Sequence, residues 1–342
     1  MAKDWREIEF VSAALILAIA VAAAIAFWPL AGAVIIAASL AVVLMPLQRR
    51  LSRLMPEALS AAVITAGVIA ILLAILAFAA AVIYQNRQLL FDVITGVLEV
   101  IRELPEADLP FDLPDPGQYL DIAATEIGQA VGQVVFTWAP DAPTLVFQAF
   151  VLFLALFMLV LSGDRIAAEI LSTLPERSLR PINILTKTMS DTFYSIYVVH
   201  AGTAVITFFF AIPFFYVLGY GHIVFFATIT AIFQLIPIIG PGTLMTLLAF
   251  YTLLMGDIRG LLLVVLIGLP IVNEVPDLVF RPVLMGQRIR IHPVLLAIGF
   301  IGGIAAMGAI GFILGPLFIA LGISGYRILI DELSGGSLQQ AR

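Results

Sequence analysis

The sequence has no cysteine among its 342 residues, and charged residues are scarce. The lack of cysteine excludes disulfide bonds, thiolate metal sites and cysteine nucleophiles. Asp, Glu, Lys and Arg make up 12% of the chain, against about 25% in an average soluble domain. The net charge of −6 gives no basis for nucleic-acid binding. With 62% hydrophobic residues, this composition excludes a soluble globular enzyme and a disordered protein.

Several common catalytic and cofactor motifs are also missing from the sequence. It contains no P-loop, no GxSxG elbow, no HExxH pair and no EF-hand loop. The missing P-loop argues against an ATP drive within this chain. We therefore expect no enzymatic activity, no cofactor and no resident metal ion.

What the sequence has instead is long stretches without a charged residue. A helix that crosses the hydrocarbon core of a bilayer needs about 20 apolar residues, and most of these stretches reach that length. They lack a two-residue alternation, so they favour helices over a β-barrel. We predict an all-α, polytopic membrane protein with about eight helical segments and additional amphipathic helices. The uncharged stretches are residues 10–48, 58–86, 142–163, 192–256, 260–273 and 291–326.

The distribution of charge predicts the domain organisation and the orientation. Short loops rich in Lys and Arg stay in the cytoplasm, so the arginine-rich loop 46–57 places the N-terminus inside, and a hairpin at 293–325 would keep the C-terminus inside as well. The acidic region 85–142, which carries apolar residues at helical spacing over 89–101, then lies outside. The predicted parts are an N-terminal transmembrane hairpin (1–57), two spans flanking the acidic region (58–163), a cytoplasmic amphipathic connector (164–197), a transport core (198–326) and a cytoplasmic tail (327–342).

Two apolar segments, 222–255 and 293–325, are too long for one crossing and carry Gly and Pro at their centres. A straight helix over 222–255 would be about 51 Å long. If that segment crossed once, the basic stretch 281–290 would lie outside, whereas a segment that turns back keeps it inside. We expect two re-entrant or broken hairpins, with kinked spans as the alternative. Paired broken helices of this kind indicate a transporter binding site.

The hairpin tips supply candidate substrate-binding residues, because broken helix ends expose unpaired N–H and C=O groups. An unpaired amide such as that of Gln234 is costly in lipid, so it should face protein or a cavity. The alternative is that the glycines serve close helix packing. The tip candidates are Gln234, Pro237, Gly240, Pro241, Gly242, Gly302, Gly303, Gly308 and Gly311.

A polar cluster follows the short apolar stretch 260–273 and supplies candidate coupling residues. Asn273 and Asp277 share a helix face, and Glu274 and Asp277 can do so as well. With Arg281, these groups suit proton or cation binding, or alternatively an interfacial ion pair. His200 and His222 flank the fifth span and are candidate proton-binding groups, although single interfacial histidines are more often without a function.

Three motifs in order resemble one known family. They are residues 233–241 (FQLIPIIGP), the run from Asn273 through Arg281-Pro282 to Ile291-His292-Pro293, and residues 311–317 (GFILGPL). With the early hairpin and the long polar region, the sequence resembles the autoinducer-2 exporter family of bacterial transporters. Arg281 stands where that family often carries an acid, and His200 stands in a region that is usually more neutral.

The resemblance implies a multi-pass protein of the bacterial inner membrane, built from eight helical segments and assembled as a homo-oligomer. It also implies export of autoinducer-2, a small polar signal of quorum sensing, and for some members Na⁺(Li⁺)/H⁺ antiport. We therefore expect a secondary transporter that works by alternating access in an elevator-like manner. A Na⁺(Li⁺)/H⁺ antiporter is the first alternative, and a channel or membrane scaffold is the second. The expected partners are the lipid bilayer, a small polar solute or a monovalent cation or proton, and no nucleic acid.

Overall fold

The structure is a computed structural model that describes residues 25–89, 116–236, 240–286 and 292–333, with five single positions between 15 and 22. Within these ranges the chain forms helices and no strand. Much of the first predicted span, residues 90–101 of the periodic stretch and the last part of the tail lie outside the described residues. The helices are α1 (Trp28–Leu51), α2 (Glu57–Gln85), α3 (Pro116–Ser172), α4 (Glu176–Tyr194), α5 (His200–Leu218), α6 (Ile223–Gln234), α7 (Gly240–Leu254), α8 (Ile258–Met285) and α9 (Pro293–Leu333).

The helices carry the surface of a membrane protein. Six described segments are long and apolar enough to cross a bilayer, and only 6% of the apolar stretch in α2 is buried inside the protein. So much exposed hydrocarbon surface is stable in lipid and not in water. The prediction of an all-α, polytopic membrane protein is confirmed.

The first of two compact units comprises Met1–Thr65 and Pro143–Ser172. Small residues such as Ala37 and Ala61 are fully buried there, together with Leu156. Arg49 binds both carboxylate oxygens of Asp164, at 2.8 and 2.7 Å. This ion pair lies at the end of α1 that carries the arginine-rich loop.

The second unit comprises Ala66–Ala142 and Thr173–Arg342, and it contains the predicted transport core. Helices α5, α6, α7 and α8 pack around a common apolar core. Gly268 makes this packing close, because a Cβ there would lie 2.7 Å from the Phe214 ring and 3.0 Å from the Met245 sulfur. Helix α4 packs against α9 in the same unit.

Helix α8 differs from its sequence prediction in length and in form. The expected short stretch 260–273 is part of a 28-residue helix that ends at Met285. Residues Val264–Glu274 and Pro276–Phe280 form wide π-helical turns. Proline lacks a backbone N–H and its ring clashes with the carbonyl four residues earlier, so wide turns accommodate Pro270 and Pro276. The polar cluster predicted to follow this span therefore lies within a membrane-length helix.

Other helix limits also depart from the predicted boundaries. Helix α3 begins inside the acidic region 85–142 and ends inside the connector 164–197. The rest of the connector continues into the fifth span as one stretch, Ser178–Leu218. The second broken segment runs to Leu333, into the predicted tail 327–342.

The two ends of segment 222–255 meet in space. The hydroxyl of Tyr220, just before the segment, donates a hydrogen bond to Asp257, just after it. The Arg259 guanidinium donates to the Val217 carbonyl at 3.0 Å. Helices α6 and α7 pack against each other and contain 12 and 15 residues, too few for either to cross about 30 Å of hydrocarbon. The segment is thus a hairpin and not one straight span.

Helix α9 is a second hairpin, broken at Gly308, which has φ 61° and ψ −139°. A Cβ on Gly303 would collide with the Gly311 carbonyl, and one on Gly315 would collide with the Gly299 carbonyl. These pairs are symmetric about position 307, so the two arms run antiparallel with their backbones in contact. Small residues allow such an approach.

Candidate transport site

The first hairpin and α8 meet at a hydrogen-bonded group of three side chains. Gln234, the last residue of α6, is only 2% exposed. Its Nε2 donates to Asp277 Oδ1 at 2.7 Å. Arg281, one turn further along α8, contacts the same oxygen through Nη2 at 3.0 Å. The Asp277 carboxylate therefore links the tip of the hairpin to the wide-turn region of α8.

Two polar atoms of this group have no hydrogen-bond partner within the described residues. They are Gln234 Oε1, an acceptor, and Arg281 Nε, a donor, and both are buried. Buried polar groups without partners are rare and need a physical reason. A small molecule that both donates and accepts hydrogen bonds would satisfy the pair.

Asn273 lies beside the start of α7. A Cβ on Gly242 would come within 3.2 Å of Asn273 Oδ1, so the glycine lets the amide lie close to the hairpin backbone. The same amide donates to Glu274 Oε1 at 2.9 Å, on an exposed part of α8. Asn273 and Asp277 thus both face the first hairpin, as their spacing predicts, while Glu274 is exposed.

His200 lies close to this group, at the first residue of α5. The wide turn Ser195–Val199 precedes it, and its backbone N–H bonds to the Ser195 carbonyl. Its ring nitrogen Nδ1 lies 2.9 Å from that same carbonyl oxygen. The ring is 6% exposed, and the charges of Arg281 and Asp277 act on it.

The Tyr220–Asp257 hydrogen bond lies at the end of the first hairpin where the residues before and after it meet. Burial, together with the hydrogen bond to Asp257, raises the pKa of Tyr220 above its ordinary range. The Tyr220 hydroxyl and the Gly260 N–H lower the pKa of Asp257, because both stabilise its carboxylate. This contact keeps the two ends of the hairpin together over a wide pH range.

The predicted site residues divide into two groups. Gln234, Gly242, Asn273, Asp277 and Arg281 lie together at the first hairpin, where Gly240 adopts φ 57° in the turn. Pro241 begins α7 with Gly240, and Pro237 lies outside the described residues. The candidates in the second hairpin are all glycines, so they offer a binding site backbone groups only. A Cβ on Gly302 or Gly308 would meet nothing within 4 Å, whereas Gly303 and Gly311 pack on each other.

In the sequence His200 is only a single histidine at the end of a span, yet the structure buries it beside the polar group. A lone histidine at a span end has no distinctive pattern. The wide turn that positions its ring could not be read from residues 195–199 (SIYVV) either. Its buried ring could be found only once α5 and α8 were packed together.

The chain matches the model of a known family, "AI-2E family transporter", over residues 14–328. It is 28% identical over 199 residues to a protein of Methanothermobacter thermautotrophicus named "Putative transport protein", covering 58% of this chain and 59% of that protein. A transport protein of the same designation from Methanocaldococcus jannaschii is 25% identical over 193 residues, 56% of each chain. One from Aquifex aeolicus is 25% identical over 209 residues, 61% of this chain and 58% of the relative. The alignments thus span less than two thirds of these relatives. The match over nearly the whole chain establishes that this multi-pass membrane protein belongs to the AI-2E family of transporters.

Proposed function

We propose that the chain is a secondary transporter that exports a small, neutral, polar solute such as autoinducer-2. The solute would bind at the tip of the first hairpin, between Gln234 and Arg281. Movement of the hairpin-containing unit, in an elevator-like manner, would expose the site alternately to each side of the membrane.

The observation that supports this proposal most strongly is the unpartnered atom pair. Gln234 Oε1 needs a donor and Arg281 Nε needs an acceptor, and a hydroxyl group provides both. The Asp277 and Arg281 charges compensate each other, so the site has little net charge to attract an ion. A solute rich in hydroxyl groups fits these requirements.

The Na⁺(Li⁺)/H⁺ antiporter remains the alternative use of the same scaffold. Asp277 and the Gln234 amide offer oxygen atoms, which hard cations prefer. Against it, the Arg281 guanidinium contacts the carboxylate that a cation would need. The positive charge of Arg281, 3.0 Å from the Asp277 carboxylate, repels a cation that binds to the same carboxylate. We therefore place the neutral solute first.

Export can be tested in proteoliposomes loaded with autoinducer-2. The wild-type protein should release the solute faster than protein-free liposomes, and Asp277→Asn should slow release. Thr228→Val is the matched control, because Thr228 is buried on α6 and its hydroxyl donates to the Val224 carbonyl of the same helix. Wild-type release no faster than the liposome background would contradict the proposal. A Na⁺-driven pH change that Asp277→Asn abolishes would favour the antiporter instead.

The placement in the cell is part of the same proposal. We infer a bacterial inner membrane location with cytoplasmic termini and a homo-oligomeric assembly. The meeting of Tyr220 with Asp257 supports a re-entrant hairpin whose two ends share the outer side. A single cysteine at the exposed Ile258 should then react with an impermeant reagent from outside. Reaction only from the cytoplasm would reverse the proposed orientation, and light scattering of the purified protein would test the assembly.

A further inference from the structure

His200 has an unusual environment for an ionisable side chain. It lies where α5 meets α8, and Gly202 next to it packs so closely against Leu284 that a Cβ would lie 2.9 Å from the leucine methyl. Its ring is in edge contact with Phe300, with the ring centres 5.7 Å apart. The surroundings are therefore tight and largely apolar.

One of its two ring nitrogens has a fixed role. Nδ1 lies 2.9 Å from the Ser195 carbonyl oxygen, which can only accept a hydrogen bond. Nδ1 must therefore carry a proton and donate it. In the neutral ring this leaves Nε2 as the atom with a lone pair, and Nε2 is buried without a partner among the described residues.

Among the described residues, the charged groups that act on this ring are Arg281 and Asp277, both on α8. From α9 the ring meets the apolar Phe300, and from the wide turn before α5 it meets the Ser195 carbonyl. A proton on Nε2 would need an acceptor that this packing lacks, because a buried donor without a partner is costly. Of the two charges, that of the Asp277 carboxylate favours a proton on Nε2, and that of the Arg281 guanidinium opposes it.

We propose that His200 is the proton-binding residue of the transport site. The proposal rests on the proposed transport function and adds the coupling ion to it. When the first hairpin opens, Nε2 takes a proton from water on that side and a new N–H bond forms. The resulting positive charge competes with Arg281 for Asp277 and loosens the Gln234–Asp277–Arg281 group. Release of the proton to water on the other side restores the neutral ring and the closed arrangement.

The first test uses the ring itself and needs no transported solute. The chain has three histidines, so His222→Gln with His292→Gln leaves His200 as the single source of imidazole signals. ¹⁵N NMR in lipid nanodiscs should show a neutral ring protonated on Nδ1 at the higher pH, and a ring that becomes charged as the pH is lowered. A ring protonated on Nε2 at the higher pH, or one that never becomes charged, would overturn the proposal.

The second test measures opening of the hairpin. A single cysteine at Leu235, next to Gln234, is introduced into this cysteine-free chain. Its labelling rate is compared between the His200 and H200Q backgrounds at each pH, so the pH dependence of the thiol itself cancels. The labelling rate with His200 present, divided by the rate in H200Q, should rise about threefold or more on acidification. The H222Q control, which keeps His200, should show the same rise as the chain with all three histidines. A constant ratio would overturn the proposal. Neither test involves autoinducer-2. A failure of autoinducer-2 export in liposomes can therefore be distinguished from a failure of the His200 proposal.

Discussion

The Gln234 amide donates a 2.7 Å hydrogen bond to the Asp277 carboxylate, joining two residues 43 positions apart in the sequence. The amide ends the first arm of a hairpin, and the carboxylate lies in a helix widened by π-helical turns. The contact ties the hairpin to the ion pair that Asp277 forms with Arg281. Any movement of the hairpin relative to α8 therefore has to break the hydrogen bond between Gln234 and Asp277.

Removal of the Gln234 amide should impair transport more than it impairs folding. In Gln234→Leu the Asp277 carboxylate loses a donor, a change that costs about 1–3 kcal/mol. Autoinducer-2 efflux should fall about tenfold or more, since the same change removes an atom of the proposed binding site. Efflux assays on detergent-stable protein check this, with Thr228→Val as the control on the same helix. Equal efflux from the two variants would count against the site.

Replacement of Arg281 should create sensitivity to Na⁺. In Arg281→Gln the Asp277 carboxylate keeps the Gln234 donor but loses its positive partner, so a cation can approach its oxygens. Replacing choline chloride with NaCl should raise the melting temperature of this variant by about 2–4 °C. The wild type and Arg180→Gln, which removes the Arg180–Asp331 pair, should not respond. Equal stabilisation of the wild type by Na⁺ would instead support the antiporter.

Glycine-to-alanine substitutions should destabilise the second hairpin where the backbones of its two arms are in contact. Gly303→Ala introduces a Cβ that meets the Gly311 carbonyl, whereas Gly302→Ala introduces one that meets nothing within 4 Å. Overpacking of this kind costs about 1–3 kcal/mol. Thermal unfolding in detergent should therefore separate the two variants clearly. If they unfold at the same temperature, the close packing of the two arms is wrong.

The Tyr220–Asp257 contact should stabilise the protein within a defined pH window. The pKa of Asp257 is lowered in the folded state, so its contribution is present above the unfolded value of about 3.9 and is lost as the pH falls through the folded value. The pKa of Tyr220 is raised, so its contribution is present below about pH 10 and is lost as the pH rises toward the folded value.

Tyr220→Phe should therefore lower the unfolding temperature most between about pH 4 and pH 10. The difference from the wild type should shrink at either extreme. Tyr216→Phe, at an exposed tyrosine near the end of α5, is the control and should show no such window. A pH-independent effect of Tyr220→Phe would mean that the ionisation of Asp257 and Tyr220 contributes nothing to stability.

The sequence predicts the membrane class and both hairpins because charge and hydropathy are local properties. Long uncharged stretches indicate spans, and glycine or proline at their centres indicates breaks. The spacing of Asn273 and Asp277 likewise predicts that they share a face of α8, and both face the first hairpin.

What the sequence misses depends on contacts between distant segments. The pairing of Gln234 with Asp277 requires the hairpin to fold back onto α8, and the burial of His200 requires α5 to pack there too. The sequence also places the polar cluster after a short span. Helix α8 continues through three prolines, Pro270, Pro276 and Pro282, with wide turns around the first two.

Solute counterflow tests the central claim most directly, because only a carrier with alternating access exchanges solute across the membrane in this way. Liposomes preloaded with unlabelled autoinducer-2 are diluted into a trace of the labelled solute. We predict transient accumulation of label above the external concentration for the wild-type protein and for Thr228→Val, and none for Gln234→Leu. Wild-type liposomes that only equilibrate with the label would contradict the carrier, and accumulation by Gln234→Leu equal to the wild type would contradict the site.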